Sequence, residues 1–275
     1  MTAVNNNTLQ TISGTIVLAG AGKMGGAMLT GWLSQGLDPS RVVVIDPAPS
    51  DEIRALGAKG VRLNPTDAAD ADTLVVAVKP QMFRDVAPAL KRWVSPATLV
   101  VSIMAGTTIG ALQELCGGAV VRAMPNTPAA IGRGITVAVP ASDVSATQRA
   151  TADALLRATG AVEWVGEESL MDAVTAVSGS GPAYLFLLAE ELARAGVAAG
   201  LPEALATKLA RDTVSGAGEL LHRSDLSAAT LRQNVTSPGG TTAAALSVLM
   251  GADGFAPLLE RAVAAATARS KELAK

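Results

Sequence analysis

The stretch Gly20-Ala21-Gly22-Lys23-Met24-Gly25 constrains the fold more than any other part of the chain. An apolar run, 15–19, leads into it, and Met28, Leu29, Trp32 and Leu33 follow at helical spacing, with Gly36 placed to close the helix. Between a strand and a helix, the first glycine makes the tight turn and the second lets the backbone approach a pyrophosphate. The third lets the helix pack on the strand. The free N–H groups and positive end of the helix then face the phosphates. A bound dinucleotide is expected there; the alternative is a tight turn that binds nothing.

Further apolar runs at 42–45, 74–78, 99–103, 120–123 and 134–139 are separated by turn residues and helical segments such as 51–56 and 82–93. Strand alternating with helix predicts an α/β fold with a doubly wound parallel sheet. After about residue 164 the β-branched runs stop. Ala/Leu segments take over, each opened by a helix-start signal: Ser180-Gly181-Pro182, Leu201-Pro202-Glu203 and Ser237-Pro238. The predicted organisation is a disordered polar lead over 1–13, a dinucleotide-binding domain over 14–164 and an all-helical domain over 165–275. The segment 184–192 is apolar nearly all round, so it needs cover on every side, and a partner subunit is the expected cover.

Composition narrows the function. A chain of 275 residues suits two domains. It is 49% hydrophobic with only 3% aromatics, so its cores must be Ala, Val and Leu. A net charge of −2 without a basic run argues against nucleic acid. The one cysteine, Cys116, excludes an internal disulfide and is read as a small buried hydrophobe. No metal-ligand spacing of His, Cys and Asp is present, so no metal is expected. Residues 1–10 lack the basic-then-apolar pattern of a secretory signal. The uncharged stretch 173–189 is at the short limit for a membrane span and is broken by Ser178-Gly179-Ser180-Gly181-Pro182. A cytoplasmic protein is expected.

Asp46 ends the second strand about 20 residues past Gly25, where an acid reads the free 2′-hydroxyl of NAD and repels a 2′-phosphate. Pro47 follows it, so Asp46 equally suits a strand-ending turn that leaves Ala48 and Ser50 to line the ribose. Lys79 follows strand 74–78 at the sheet's ligand-binding edge, or is a surface lysine. In the second domain, Ser237-Pro238-Gly239-Gly240-Thr241-Thr242 joins a glycine turn to the helix 241–250. Its amides and threonine hydroxyls suit a small anion; the alternative is an ordinary helix start. A cofactor site and an anion site on one chain suggest an enzyme that oxidises or reduces a small acid. The single histidine, His222, sits beside Arg223 in a polar stretch and is read as a surface residue. With no nucleophile elbow present, a Ser-His-Asp hydrolase is unsupported.

Five motifs in order, namely 20–25, Ala77-Val78-Lys79-Pro80, Arg122-Ala123-Met124-Pro125-Asn126-Thr127-Pro128, Ser178-Gly179-Ser180-Gly181-Pro182-Ala183-Tyr184 and 237–242, closely resemble those of the pyrroline-5-carboxylate reductases, the last enzymes of proline synthesis. The resemblance runs from about Gly14 to Leu273. It implies a Rossmann domain followed by a helical dimerisation domain, with NADP(H) or NAD(H) as cofactor. It also implies a dimer interlocked through the second domains, often built into a ring such as a decamer. The family's pyrophosphate loop falls on Ala19, Gly20, Ala21, Gly22, Lys23 and Met24. Its ribose contacts fall on Ala48, Ser50 and Asn64, and its nicotinamide contacts on Ala77, Val78, Lys79 and Pro80 and on Ala105 and Gly106. Its substrate contacts fall on Glu168, Asn234, Thr241 and Thr242, with Ser237 and Gly240 in the same loop. The hydroxyl that orients or protonates the imine falls on Thr242. Asp46, with no basic residue at 47–50, departs from many relatives and puts a strong NADP preference in doubt.

The implied substrate is a five-membered cyclic imine bearing a carboxylate. Its protonated form is already a good electrophile, so the site's tasks are positioning and exclusion of water. Two rivals remain open. A hydroxyacid dehydrogenase of the 3-hydroxyisobutyrate type needs a second-domain lysine, and Leu185 stands in that slot. A non-catalytic NAD(P)-sensing protein needs the fingerprint but not the 237–242 pocket.

Overall fold

The structure, a computed structural model, describes residues 9–67 and 69–273. Eight strands carry the first part of the chain: β1 Ile16–Ala19, β2 Val42–Ile45, β3 Arg62–Leu63, β4 Thr73–Val76, β5 Leu99–Ser102, β6 Ala119–Met124, β7 Gly134–Pro140 and β8 Gly160–Trp164. They form one sheet in the order β3-β2-β1-β4-β5-β6-β7-β8. Between them lie α1 Lys23–Ser34, α2 Asp51–Ala55, α3 Phe83–Lys91, α4 Ile109–Leu115 and α5 Ala146–Arg157. All pairs are parallel except β6 with β7. That exception departs from the all-parallel expectation. The connection 125–133 is shorter than the dozen or so residues a crossover needs, so β7 can only return antiparallel.

Alternate side chains of the strands enter two cores, one on each face. On one face Ile16, Leu18, Val44 and Val101 pack against Met28, Leu29 and Trp32 of α1 and Leu155 and Leu156 of α5. On the other, Val17, Val43, Leu74 and Val100 pack against Phe83, Ala87 and Leu90 of α3 and Leu112 of α4. The indole of Trp32 is fully buried and donates to the Leu155 carbonyl at 2.8 Å, which satisfies the one polar atom it takes inside. Cys116 is buried in the second core, and burial pushes its thiol up to about 11.

Of the predicted lead 1–13, residues 1–8 lie outside the described residues. The remainder is not a loose tail. Leu9–Thr11 form a 3₁₀ turn, and Leu9 is buried in the first core, because an apolar side chain there finds the α1 face to cover it.

The helices after the sheet are α6 Met171–Val174, α7 Gly181–Ala198, α8 Glu203–Arg223, α9 Ala228–Asn234, α10 Thr241–Leu249 and α11 Phe255–Leu273. Strands end at Trp164, but the chain divides into compact units at Gly179. One unit runs to Gly179 and takes back the chain from Thr267; the other is Ser180–Ala266. Within the second unit α7 and α8 approach closely, with a Cβ on Gly196 reaching to 3.2 Å from Ala206. Few of its side chains are buried: Pro182, Ala206 and Ala210. Leu185, Phe186 and Leu187 of α7 stay exposed, as do Val248 and Met250 at the end of α10.

Candidate active site

Within the sheet unit, the strand order reverses about β1, which has β2 on one side and β4 on the other. A crevice outside the carboxyl ends of the strands opens at such a switch point, and ligands of doubly wound sheets bind there. The predicted cofactor residues gather on this edge. Ala19 ends β1, and Gly20 turns the chain with φ +89°. Gly22 is the N-cap of α1 and brings no side-chain cap, so the first-turn N–H groups at Lys23 and Met24 are left for an acceptor. A Cβ on Gly25 would lie 2.1 Å from the Gly20 carbonyl oxygen, whereas one on Gly22 would meet nothing within 4 Å. The third glycine is thus required by packing, and the second leaves an open cradle. That is the arrangement a pyrophosphate needs, and the residues present fit a dinucleotide.

The β4 loop lies beside this turn. Ala77 N–H donates to the Ala19 carbonyl at 2.8 Å, and a Cβ on Gly20 would meet the Ala77 carbonyl at 2.8 Å. Ala77 and Val78 are half-buried, while Lys79 and Pro80 are exposed at the rim. The β5 loop joins the same edge through Ile103 N–H on the Val76 carbonyl, 3.0 Å, and carries half-buried Ala105 and buried Gly106.

At the end of β2, Asp46 has both carboxylate oxygens in use. Oδ2 accepts from Ala21 N–H at 2.7 Å and Oδ1 from Ala48 N–H at 2.9 Å. The side chain therefore ties the glycine loop to the 46–50 turn. Asn64, the residue after β3, fixes its backbone: Asp46 N–H donates to Asn64 Oδ1 at 2.9 Å, and Asn64 Nδ2 donates to the Asp46 carbonyl at 2.7 Å. Asn64 does so from φ +46°. The Ser50 hydroxyl accepts from Ile53 N–H and caps α2, and Ala48 is exposed. A groove of about 900 Å³ opens at Ala21, Gly22 and Lys23, with Ser50 on its wall, and runs down α1 to its end at Ser34.

The predicted substrate residues fall in two groups. Glu168 belongs to the sheet unit, at the start of a 3₁₀ turn after β8. Its Oε1 accepts from Arg122 Nη1 and from Ile109 N–H, both at 2.8 Å. Arg122 carried no assigned role in the sequence, although a charge in the apolar strand Val120-Val121-Arg122-Ala123 was a signal that a buried partner must exist. The rest sit together in the helical unit. Asn234 ends α9, and Ser237 accepts from Gly240 N–H at 3.0 Å across a turn in which Gly239 has φ +69°. Gly240 is the N-cap of α10 and offers no side chain, so the helix opens on uncapped amides. Exposed Thr241 and half-buried Thr242 follow, their hydroxyls without partners among the described residues. A groove of about 460 Å³ between α9 and α10, lined by Arg232, Thr236 and Ser247, excludes both threonines. Among the described residues no group of three or more His, Cys, Asp or Glu side chains could hold a metal, and no helix is long and apolar enough to cross a membrane.

Comparison with known proteins points to one family. The family model described as pyrroline-5-carboxylate reductase dimerisation matches residues 168–273, and that for coenzyme F420-dependent NADP oxidoreductases matches 15–106. The chain is 40% identical over 265 residues to the pyrroline-5-carboxylate reductase of Pseudomonas aeruginosa, covering 94% of this chain and 97% of that one. Among solved structures it is similar to a pyrroline-5-carboxylate reductase from Coxiella burnetii, with TM-score 0.87 and 36% identity, covering 96% of this chain and all of that one. The Plasmodium falciparum pyrroline carboxylate reductase with NADP bound gives TM-score 0.79 and 29% identity, covering 97% and 99%.

Proposed function

The chain belongs to the pyrroline-5-carboxylate reductase family, and we propose that its two amide-rich turns, 20–25 and 237–242, divide that family's reaction between cofactor and substrate. The protein is an NAD(P)H-dependent oxidoreductase that reduces 1-pyrroline-5-carboxylate to L-proline, the last step of proline synthesis. Bound at the sheet edge, the reduced nicotinamide supplies the hydride. The chain's own residues hold and orient. The uncapped amides at Gly22, Lys23 and Met24 take the pyrophosphate, Ala48, Ser50 and Asn64 take the ribose side, and Ala77 to Pro80 with Ala105 and Gly106 take the nicotinamide side. The amides that open α10 grip the substrate carboxylate, with Ser237 and Gly240 shaping the turn. Asn234, Thr241 and Glu168 border the ring, and the Thr242 hydroxyl hydrogen-bonds its nitrogen.

The observation that carries this reading is that α10 opens on Gly240 with no side-chain cap, while the Thr242 hydroxyl has no partner among the described residues. A helix start without its own acceptor is suited to a carboxylate from outside. The chain self-associates through its helical part, where α7 leaves Phe186 69% exposed. A dimer built there, with higher rings beyond it, is the proposed assembly. The proposed location is the cytoplasm, where reduced nicotinamide is at hand. The test is absorbance loss at 340 nm with pyrroline-5-carboxylate, run with NADH and with NADPH. Oxidation that depends on the imine is expected. Oxidation with methylmalonate semialdehyde, the aldehyde partner of 3-hydroxyisobutyrate, instead favours the hydroxyacid dehydrogenase reading, and cofactor binding with no turnover favours a sensor.

A further inference from the structure

We propose that Arg122 is a positioning residue for the reduction: through Glu168 it fixes the loop after β5 and leaves one carboxylate oxygen of Glu168 for the cationic ring. The inference rests on the reductase reading above. Arg122 stands in β6 with its side chain 5% exposed, among residues that are otherwise apolar. A guanidinium so placed needs a charged acceptor, and Glu168 Oε1 provides it at 2.8 Å. The same oxygen accepts the N–H of Ile109, the first residue of α4. That amide closes the connection 103–108, which holds Ala105 and Gly106. The connection's other end is tied by Ser102, in register with Arg122 on the neighbouring strand, whose hydroxyl accepts from Met104 N–H at 3.3 Å. Arg122, Ser102 and Glu168 thus fasten both ends of the loop that borders the nicotinamide side.

The division of labour within Glu168 follows. Oε1 is committed twice, to a buried cation and to a backbone amide. Oε2 takes no hydrogen bond among the described residues, and the side chain is 32% exposed. A protonated imine spreads its positive charge over the C=N unit, and a free carboxylate oxygen beside the ring stabilises that charge while Thr242 takes the ring N–H. Arg122 does not touch the substrate in this scheme; it determines which oxygen of Glu168 is free and where it stands.

The test compares wild type with Arg122→Met, Arg122→Lys, Glu168→Gln and the Arg122→Met/Glu168→Gln double variant. Arg122→Met is expected to lower kcat about 10- to 100-fold through misplacement of the bound ring. KM for pyrroline-5-carboxylate should rise, while the dissociation constant of reduced cofactor stays within about threefold because the pyrophosphate turn is untouched. Amide hydrogen exchange over 103–112 should quicken. Arg122→Lys should restore most of the loss, and the double variant should be no worse than Glu168→Gln alone. If Arg122→Met does not fold, Arg122→Lys carries the comparison, with a smaller loss that vanishes in the Glu168→Gln background. Unchanged kinetics in a folded Arg122 variant, or losses that multiply with those of Glu168→Gln, overturn the proposal. Wild type without imine-dependent oxidation sinks the reductase reading instead, and the exchange measurement still decides whether Arg122 holds the loop.

Discussion

Asp46 places a carboxylate at the end of β2 and uses both of its oxygens on backbone amides. A 2′-phosphate brought to the 48–50 turn meets that charge with no basic residue at 47–50 to offset it. Asp46→Asn retains an acceptor but removes the charge. The ratio of kcat/KM for NADPH over NADH should then rise on the order of tenfold, as expected for about 1.4 kcal/mol of relieved repulsion. Unchanged preference in steady-state kinetics would free Asp46 from any part in cofactor choice. Thr242 carries the second prediction. Thr242→Ala should lower kcat roughly 10- to 100-fold, the order of one lost positioned hydrogen bond, with little change in melting temperature. The fingerprint residues were readable because their chemistry is set by local spacing. The bond from Ala21 to Asp46 and the bonds of Glu168 were not, since they join positions 25 and 46 or more residues apart in the chain. Glu168 entered only through family resemblance. Arg122 was visible as a charge in an apolar strand, but nothing local named its partner.

Strands were legible where they are buried on both faces. Runs 42–45 and 99–103 match β2 and β5 within a residue because a run of consecutive β-branched and aliphatic side chains has no other stable place. β3 and β8 passed unnoticed for the opposite reason. They are the two edges of the sheet, and Arg62 and Glu163 interrupt any apolar run there. The antiparallel turn into β7 was also hidden, because a periodicity argument has no term for the length of a connection. Packing of α1 on β1 gives a sharper test. Gly25→Ala forces a methyl against the Gly20 carbonyl oxygen, backbone that cannot swing aside. The strain should cost about 1–3 kcal/mol. It should appear as a lower melting temperature and weaker binding of reduced cofactor, read by nicotinamide fluorescence. A variant with both unchanged would show that α1 has slack at its start.

The helical unit buries very few of its own side chains. Exposed apolar groups along α7 and at the end of α10 are more than a solitary unit leaves in water without cause. Phe186→Glu should therefore weaken self-association roughly 100-fold, the effect of losing one central aromatic anchor. Sedimentation velocity would register the shift to smaller species, and a variant that sediments like wild type would place the interface elsewhere. The sequence already pointed to this need for cover, because an all-round apolar helix cannot be hidden by one neighbour; which surface provides it is not written in a single strand of letters. The sealed thiol of Cys116 has a practical corollary. With its only native sulfhydryl protonated well above neutral pH and shut inside a core, the chain needs no background cysteine removed before labelling. A fluorophore or spin probe added to one engineered surface cysteine would report a single address, so distances across the assembly can be measured on otherwise native protein.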